Sequence, residues 1–186
     1  MKNTSTPHKT YIALLRGINV GGHHKVPMVQ LRLEMEKLGY TEVTTLLNSG
    51  NVIFEADSED GEEIQDNISS HISTVFGFHI PTKVIKAERI MKLTAENPFV
   101  NEELNKSIRF YVTFLNEDNE NSVPLPWQSK DGSVRIIYGK EGIVCSVLDL
   151  SVSNTPKAMG ELEKFYGKQI TTRNWNTIIR IGKKLN

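Results

Sequence analysis

Leu14-Leu15-Arg16-Gly17-Ile18-Asn19-Val20-Gly21-Gly22-His23-His24-Lys25-Val26-Pro27-Met28 passes from an apolar run, through a glycine-rich polar loop carrying cations, into a segment that opens on proline. Upstream, Tyr11–Arg16 reads as a short strand that Gly17 breaks. Downstream, Pro27 suits the first helical position, and Met28, Leu31, Met35 and Leu38 recur at helical spacing until Gly39 caps the helix. A strand, loop and helix in this order gather backbone N–H groups, positive charge and flexible main chain at one point. Such a point suits an anion.

Further along, Val43–Asn48 and Asn51–Glu55 read as strands around Ser49-Gly50, a two-residue hairpin connection. A helix follows, with Asp57 or Ser58 as N-cap and Glu59, Asp60, Glu62 and Glu63 in its first turns, where the helix dipole favours acids. Ile64, Ile68, Ile72, Val75 and Phe76 form its apolar face, and Gly77 ends it. Ile80–Lys86 reads as a strand whose Pro81, Lys83 and Lys86 suit a sheet edge. Strand, helix, strand, strand, helix, strand is the ferredoxin-like split βαβ pattern, an α+β plait with an antiparallel sheet. It spans residues 10–86, after a tail at 1–9 expected to be disordered. In that topology the loop after the first strand, the hairpin and the turn before the fourth strand share one end of the sheet. The glycine-rich loop, Asn48-Ser49-Gly50-Asn51 and His79 are therefore expected to be neighbours. Two helices cover only one face of such a sheet. Tyr11-Ile12-Ala13-Leu14-Leu15 is apolar on both faces, so the other face needs an apolar cover, from the second half of the chain or, failing that, a partner chain.

Residues 87–186 read as a second α+β unit. Ala87–Thr94 is a helix stopped by Asn97-Pro98-Phe99, and Ile108–Leu115 is a strand. Asn116–Lys130 is a long polar connection, with Trp127 to pin it. Val134–Tyr138 and Ile143–Leu148 form a hairpin around Gly139-Lys140-Glu141-Gly142. After a loop at Ser151–Thr155 come helices at Lys157–Tyr166 and Asn174–Leu185, the last with Thr172 or Asn174 as N-cap.

The 186 residues carry 22 Lys and Arg against 22 Asp and Glu. Zero net charge argues against a nucleic-acid coat or a polybasic membrane binder, and leaves room for a local basic patch. Cys145, the only cysteine, lies in an apolar run and reads as a small buried hydrophobe. Met1–Thr10 holds no hydrophobic signal core and no run is long enough to span a bilayer, so the cytoplasm is expected. The five histidines lack zinc-ligand spacing and no CxxC is present, so no metal or cofactor is expected. No Ser–His–Asp or Cys–His arrangement is recognisable, and Glu62-Glu63 and Glu102-Glu103 lie in solvated stretches, so the sequence gives no support for an enzyme.

The opening stretch Leu14–Met28, the hairpin Asn48-Ser49-Gly50-Asn51-Val52, Phe76-Gly77, Asn97-Pro98-Phe99 and Thr171-Thr172-Arg173-Asn174-Trp175-Asn176-Thr177 together resemble the family called domain of unknown function 1697. The resemblance runs from Tyr11 to the last helix. It implies a small bacterial protein made of two α/β-plait domains, and it brings no activity, cofactor or catalytic residue with it.

The candidate site is therefore read from chemistry. Arg16 and Lys25 supply charge, Gly21 and Gly22 let the main chain approach a ligand, and Asn19, Asn48, Ser49 and Asn51 offer amides and a hydroxyl beside them. Each also has an architectural reading: glycines that satisfy backbone angles, and Asn and Ser that make the turns. Arg173, Asn174 and Trp175 complete the set. Arg173 near a helix start is at odds with the dipole and asks for an anionic partner. Trp175 either stacks on a base or anchors the last helix in the core. The expectation is a cytoplasmic monomer or homodimer that binds a phosphate-bearing ligand, a nucleotide or nucleic acid. The alternatives are an enzyme on a small phosphorylated or acyl substrate, and a protein–protein adaptor.

Overall fold

A run apolar on both faces must be buried on both, and β1 (Lys9–Leu15) is fully enclosed from Tyr11 to Leu15. The computed structural model describes residues 9–58, 60–116 and 123–185. The chain divides into two compact units, Met1–Met91 and Lys92–Asn186.

In the first unit β1 is followed by α1 (Met28–Lys37), β2 (Thr41–Leu46), β3 (Asn51–Ala56), α2 (Gly61–Phe76) and β4 (Thr82–Lys86). The sheet order is β2-β3-β1-β4, with every neighbouring pair antiparallel. β3 lies between the two strands that α1 joins, which is the split βαβ arrangement, and β4 is an edge, as its lysines and the Pro81 just before it suggest. Tyr11, Ala13, Leu15, Val52 and Phe54 of the sheet pack in one core with residues of both helices, including Leu31, Met35, Ile64 and Ile68. Ile12 and Leu14 alternate with these onto the other face and are equally buried.

Several boundaries differ from the sequence reading. Lys9 already belongs to β1 and not to a tail, while residues 1–8 lie outside the described residues. The hairpin connection is Leu47-Asn48-Ser49-Gly50, four residues and not two. β2 stops at Leu46, which pairs with Asn51, because Leu47 turns to φ 58° and leaves the extended region. α2 is capped by Asp60, not by Asp57 or Ser58. Its Oδ1 accepts from the N–H groups of Glu62 at 3.0 Å and Glu63 at 3.1 Å. Glu59 lies outside the described residues.

α3 (Ala87–Glu96) follows β4 without a break and carries the boundary between the units. The second unit continues with β5 (Ile108–Phe114), β6 (Trp127–Gln128), β7 (Val134–Lys140), β8 (Ile143–Asp149), α4 (Thr155–Tyr166), β9 (Thr171–Asn174) and α5 (Trp175–Leu185). Its antiparallel sheet has the order β6-β7-β8-β5-β9. Without β6 this is β7-β8-β5-β9, the order of the first sheet, with α4 placed before the last strand as α2 is. The place of α1, between β5 and β7, holds β6 and no helix among the described residues. β6 and β9 went unread in the sequence. Arg173 consequently sits in a strand opposite Val112, two residues before the last helix begins. Phe99 stacks on Phe110 with ring centres 4.5 Å apart, and Trp175 tilts against Phe99 at 5.1 Å. Cys145 is fully buried, and burial pushes its thiol up to about 12, so it serves as a core hydrophobe.

Candidate functional site

At the loop end of the first sheet the three expected segments meet. The Leu15 N–H donates to Gly50 O at 2.8 Å, the Arg16 N–H to Pro81 O at 2.9 Å, and Asn19 Nδ2 to Asn48 O at 2.8 Å. The turn before β4 takes part through Pro81, and also through Phe78, whose ring stacks on His24 at 4.4 Å. His79 itself is exposed.

Asn19 organises the loop. Its backbone sits at φ 54°, a region that asparagine tolerates. Its Nδ2 also donates to Val26 O at 3.0 Å, and its Oδ1 accepts the Val26 N–H at 2.8 Å. One side chain thus closes the loop from 19 to 26 and ties it to the hairpin. Asn51, fully buried, donates from Nδ2 to Leu46 O at 3.0 Å and to Ser49 Oγ at 2.9 Å, which shapes the four-residue turn. These amides therefore hold the chain together. Of the candidate residues here, Asn19, Gly21, Gly22, Lys25, Asn48 and Ser49 are exposed and Arg16 is half-buried. A Cβ added to Gly21 or Gly22 would meet no atom within 4 Å. Beside them α1 begins after Pro27 with no side-chain cap and no acid in its first turn.

Arg173, Asn174 and Trp175 belong to the second unit, where β9 turns into α5. Arg173 Nη1 donates to Thr172 O at 3.0 Å, and burial draws the guanidinium down to about 10. Asn174 Oδ1 accepts the Asn176 N–H at 2.9 Å and so serves as the cap of α5. Trp175 is only 9% exposed. Asn174 and Trp175 line a pocket of about 440 Å³ together with Asn97, Phe99, Asn105 and Arg109, whereas Arg173 does not reach it. Sequence reasoning missed this pocket. Two of its residues, Asn174 and Trp175, were candidates in the sequence, whereas Asn97-Pro98-Phe99 read only as a helix stop. Among the described residues no group of three or more His, Cys, Asp or Glu could hold a metal ion, and no helix is long and apolar enough to cross a membrane.

Two antiparallel sheets with five helices among the described residues define a protein of two ferredoxin-like α/β plaits. The family described as "Protein of unknown function (DUF1697)" matches residues 8–140, and the chain belongs to that family. The matched range stops short of the Thr171–Thr177 segment. The chain is also similar to the solved structure of a conserved bacterial protein, SP0830 from Streptococcus pneumoniae. The two are 24% identical over 97% of this chain and 100% of that one, with a TM-score of 0.64, a likeness of fold. No curated protein matches the chain.

Proposed function

We propose that the loop end of the first unit binds a phosphate-bearing ligand, a nucleotide or nucleic acid. The observation that carries this reading is the start of α1. It has neither a capping side chain nor an acid in its first turn, and it lies beside open glycine backbone and the exposed Lys25. Unsatisfied N–H groups at a helix start, next to a cation, are the donors an anion needs. The Asn48 and Ser49 side chains lie on the adjoining hairpin, within the same end of the sheet.

A thermal-shift series with inorganic phosphate and mononucleotides at low salt tests the reading. A ligand held at about a hundred times its Kd stabilises by about 2.7 kcal/mol. The expected result is a rise in Tm for at least one of these ligands that Lys25→Ala removes. No rise across the series, or a rise that Lys25→Ala leaves intact, overturns it.

A further inference from the structure

The charge of this protein is segregated along its chain. From Lys164 to the end there are six cations, Lys164, Lys168, Arg173, Arg180, Lys183 and Lys184, and no acid. Three of them fall on α5. Arg180, Lys183 and Lys184 are spaced i, i+3, i+4 and therefore share one face, which is exposed. Among the described residues none of the three has an acidic partner. Lys183 and Lys184 also complement the dipole at the end of α5, but Arg180 lies in mid-helix, where the dipole gives it no such role.

The opposite face of α5 is already in use. Trp175, Ile178, Ile181 and Gly182 are buried, and a Cβ on Gly182 would stand 3.1 Å from Thr94 Cγ2 of α3. The helix thus has no apolar side left to lay into a lipid surface. Its first two turns form a wall of the 440 Å³ pocket, through Trp175, Asn176 and Ile179. Asn176 and Arg180 are one helical turn apart, and Lys183 follows within roughly 10 Å of Asn176 along the axis at 1.5 Å per residue. The cationic stripe therefore leads away from the mouth of the pocket. The pocket itself pairs aromatic surface, Phe99 and Trp175, with the amides of Asn97, Asn105 and Asn174. Asn97 Oδ1 is buried with no hydrogen-bond partner among the described residues.

We infer that the second unit binds single-stranded nucleic acid, with one base lodged at the Trp175 pocket and the phosphates that follow it running along Arg180, Lys183 and Lys184. Aromatic rings stack on any base, amides read base edges, and a base enters such a pocket only when it is unpaired. This site shares no residue with the loop of the first unit and stands or falls apart from it.

The test is fluorescence anisotropy of a labelled single strand of about twelve nucleotides over a salt series, with a duplex of equal length and polyphosphate as competitors. The expected result is binding to the single strand with a log–log salt slope near −2, about −0.7 for each of three phosphate contacts. The exposed-residue variant R180Q/K183Q/K184Q weakens binding at least tenfold and brings the slope close to zero. Asn176→Ala weakens it while leaving the slope unchanged, and Lys25→Ala leaves it intact. The inference is overturned if the strand does not bind at low salt or if the triple variant binds as the native protein does. It is equally overturned if the duplex or polyphosphate competes as well as the single strand, since either would mean that no base enters the pocket. Loss on Lys25→Ala with retention in the triple variant would instead assign the strand to the first unit.

Discussion

At Gly50 the backbone takes φ 73°, and a Cβ would stand 2.7 Å from Ile18 Cδ1 and 2.8 Å from Leu15 Cβ. Gly21 has a similar φ of 59° but open space around it. The two glycines therefore separate backbone strain from steric overlap. Gly21→Ala is expected to cost about 1–2 kcal/mol, the left-handed penalty alone. Gly50→Ala adds overpacking of about 1–3 kcal/mol to the same penalty. Urea unfolding of both variants measures the difference, and equal losses would mean that Ile18 and Leu15 move aside freely. The same end of the sheet shows what a sequence conveys about a site. That Asn19, Asn48 and Asn51 gather near the glycine loop follows from topology, which strand order reveals. That Asn19 and Asn51 spend their amides on the carbonyls of Val26, Asn48 and Leu46 does not, because an amide serves a main-chain group and a phosphate equally well.

Between elements, the junction of α1 with α2 is held by a carboxylate. Glu34 of α1, 6% exposed, accepts from Lys37 Nζ at 2.7 Å and lies 2.9 Å from His71 Nε2 of α2. The hydrogen bond from Lys37, and after it the one from His71, holds the Glu34 carboxyl below its ordinary value of 4.5. A carboxyl depressed in the folded state contributes stability above its unfolded pKa and loses it as pH falls through the folded value. The native protein is therefore expected to exceed Glu34→Gln in Tm at pH 7, with the gap closing as pH drops below about 4.5. Calorimetry of both proteins from pH 7 to pH 3 checks this, and a gap that stays constant would rule out the carboxylate charge as its source. Long amphipathic elements such as α2 were legible because Ile64, Ile68 and Ile72 repeat at the helical period. β6 and β9 were not, since two and four residues give a period of two no room to show. At β9 the adjoining run of Trp175, Ile178 and Ile181 drew the helix reading upstream by one residue, to Asn174.

Across the whole chain one plan is used twice. Each unit sets its last strand at an edge of the sheet, beside its first, and then runs without a break into a helix, Lys86 to Ala87 and Asn174 to Trp175. The repetition is one of strand order and not of residues, so no internal sequence match announces it. Charge does not follow the plan. The six cations after Glu163 leave the first 163 residues with sixteen cations against twenty-two acids, in a molecule whose pI is about 7.0. Near that pH no net charge keeps copies apart, while the acidic bulk of one copy attracts the cationic α5 of another. Salt screens this attraction, with a Debye length of about 30 Å at 0.01 M and about 10 Å at 0.1 M. Solubility is therefore expected to pass through a minimum near pH 7 in about 10 mM salt, and to rise at that pH when salt is added. In R180Q/K183Q/K184Q, which removes three positive charges, the minimum moves to lower pH and the rise with salt is smaller. Precipitation midpoints in polyethylene glycol, taken across pH and salt for both proteins, measure these effects. A minimum that does not respond to salt would mean that copies associate through apolar surface, and the exposed Val100, Leu104 and Val152 would become the residues to replace.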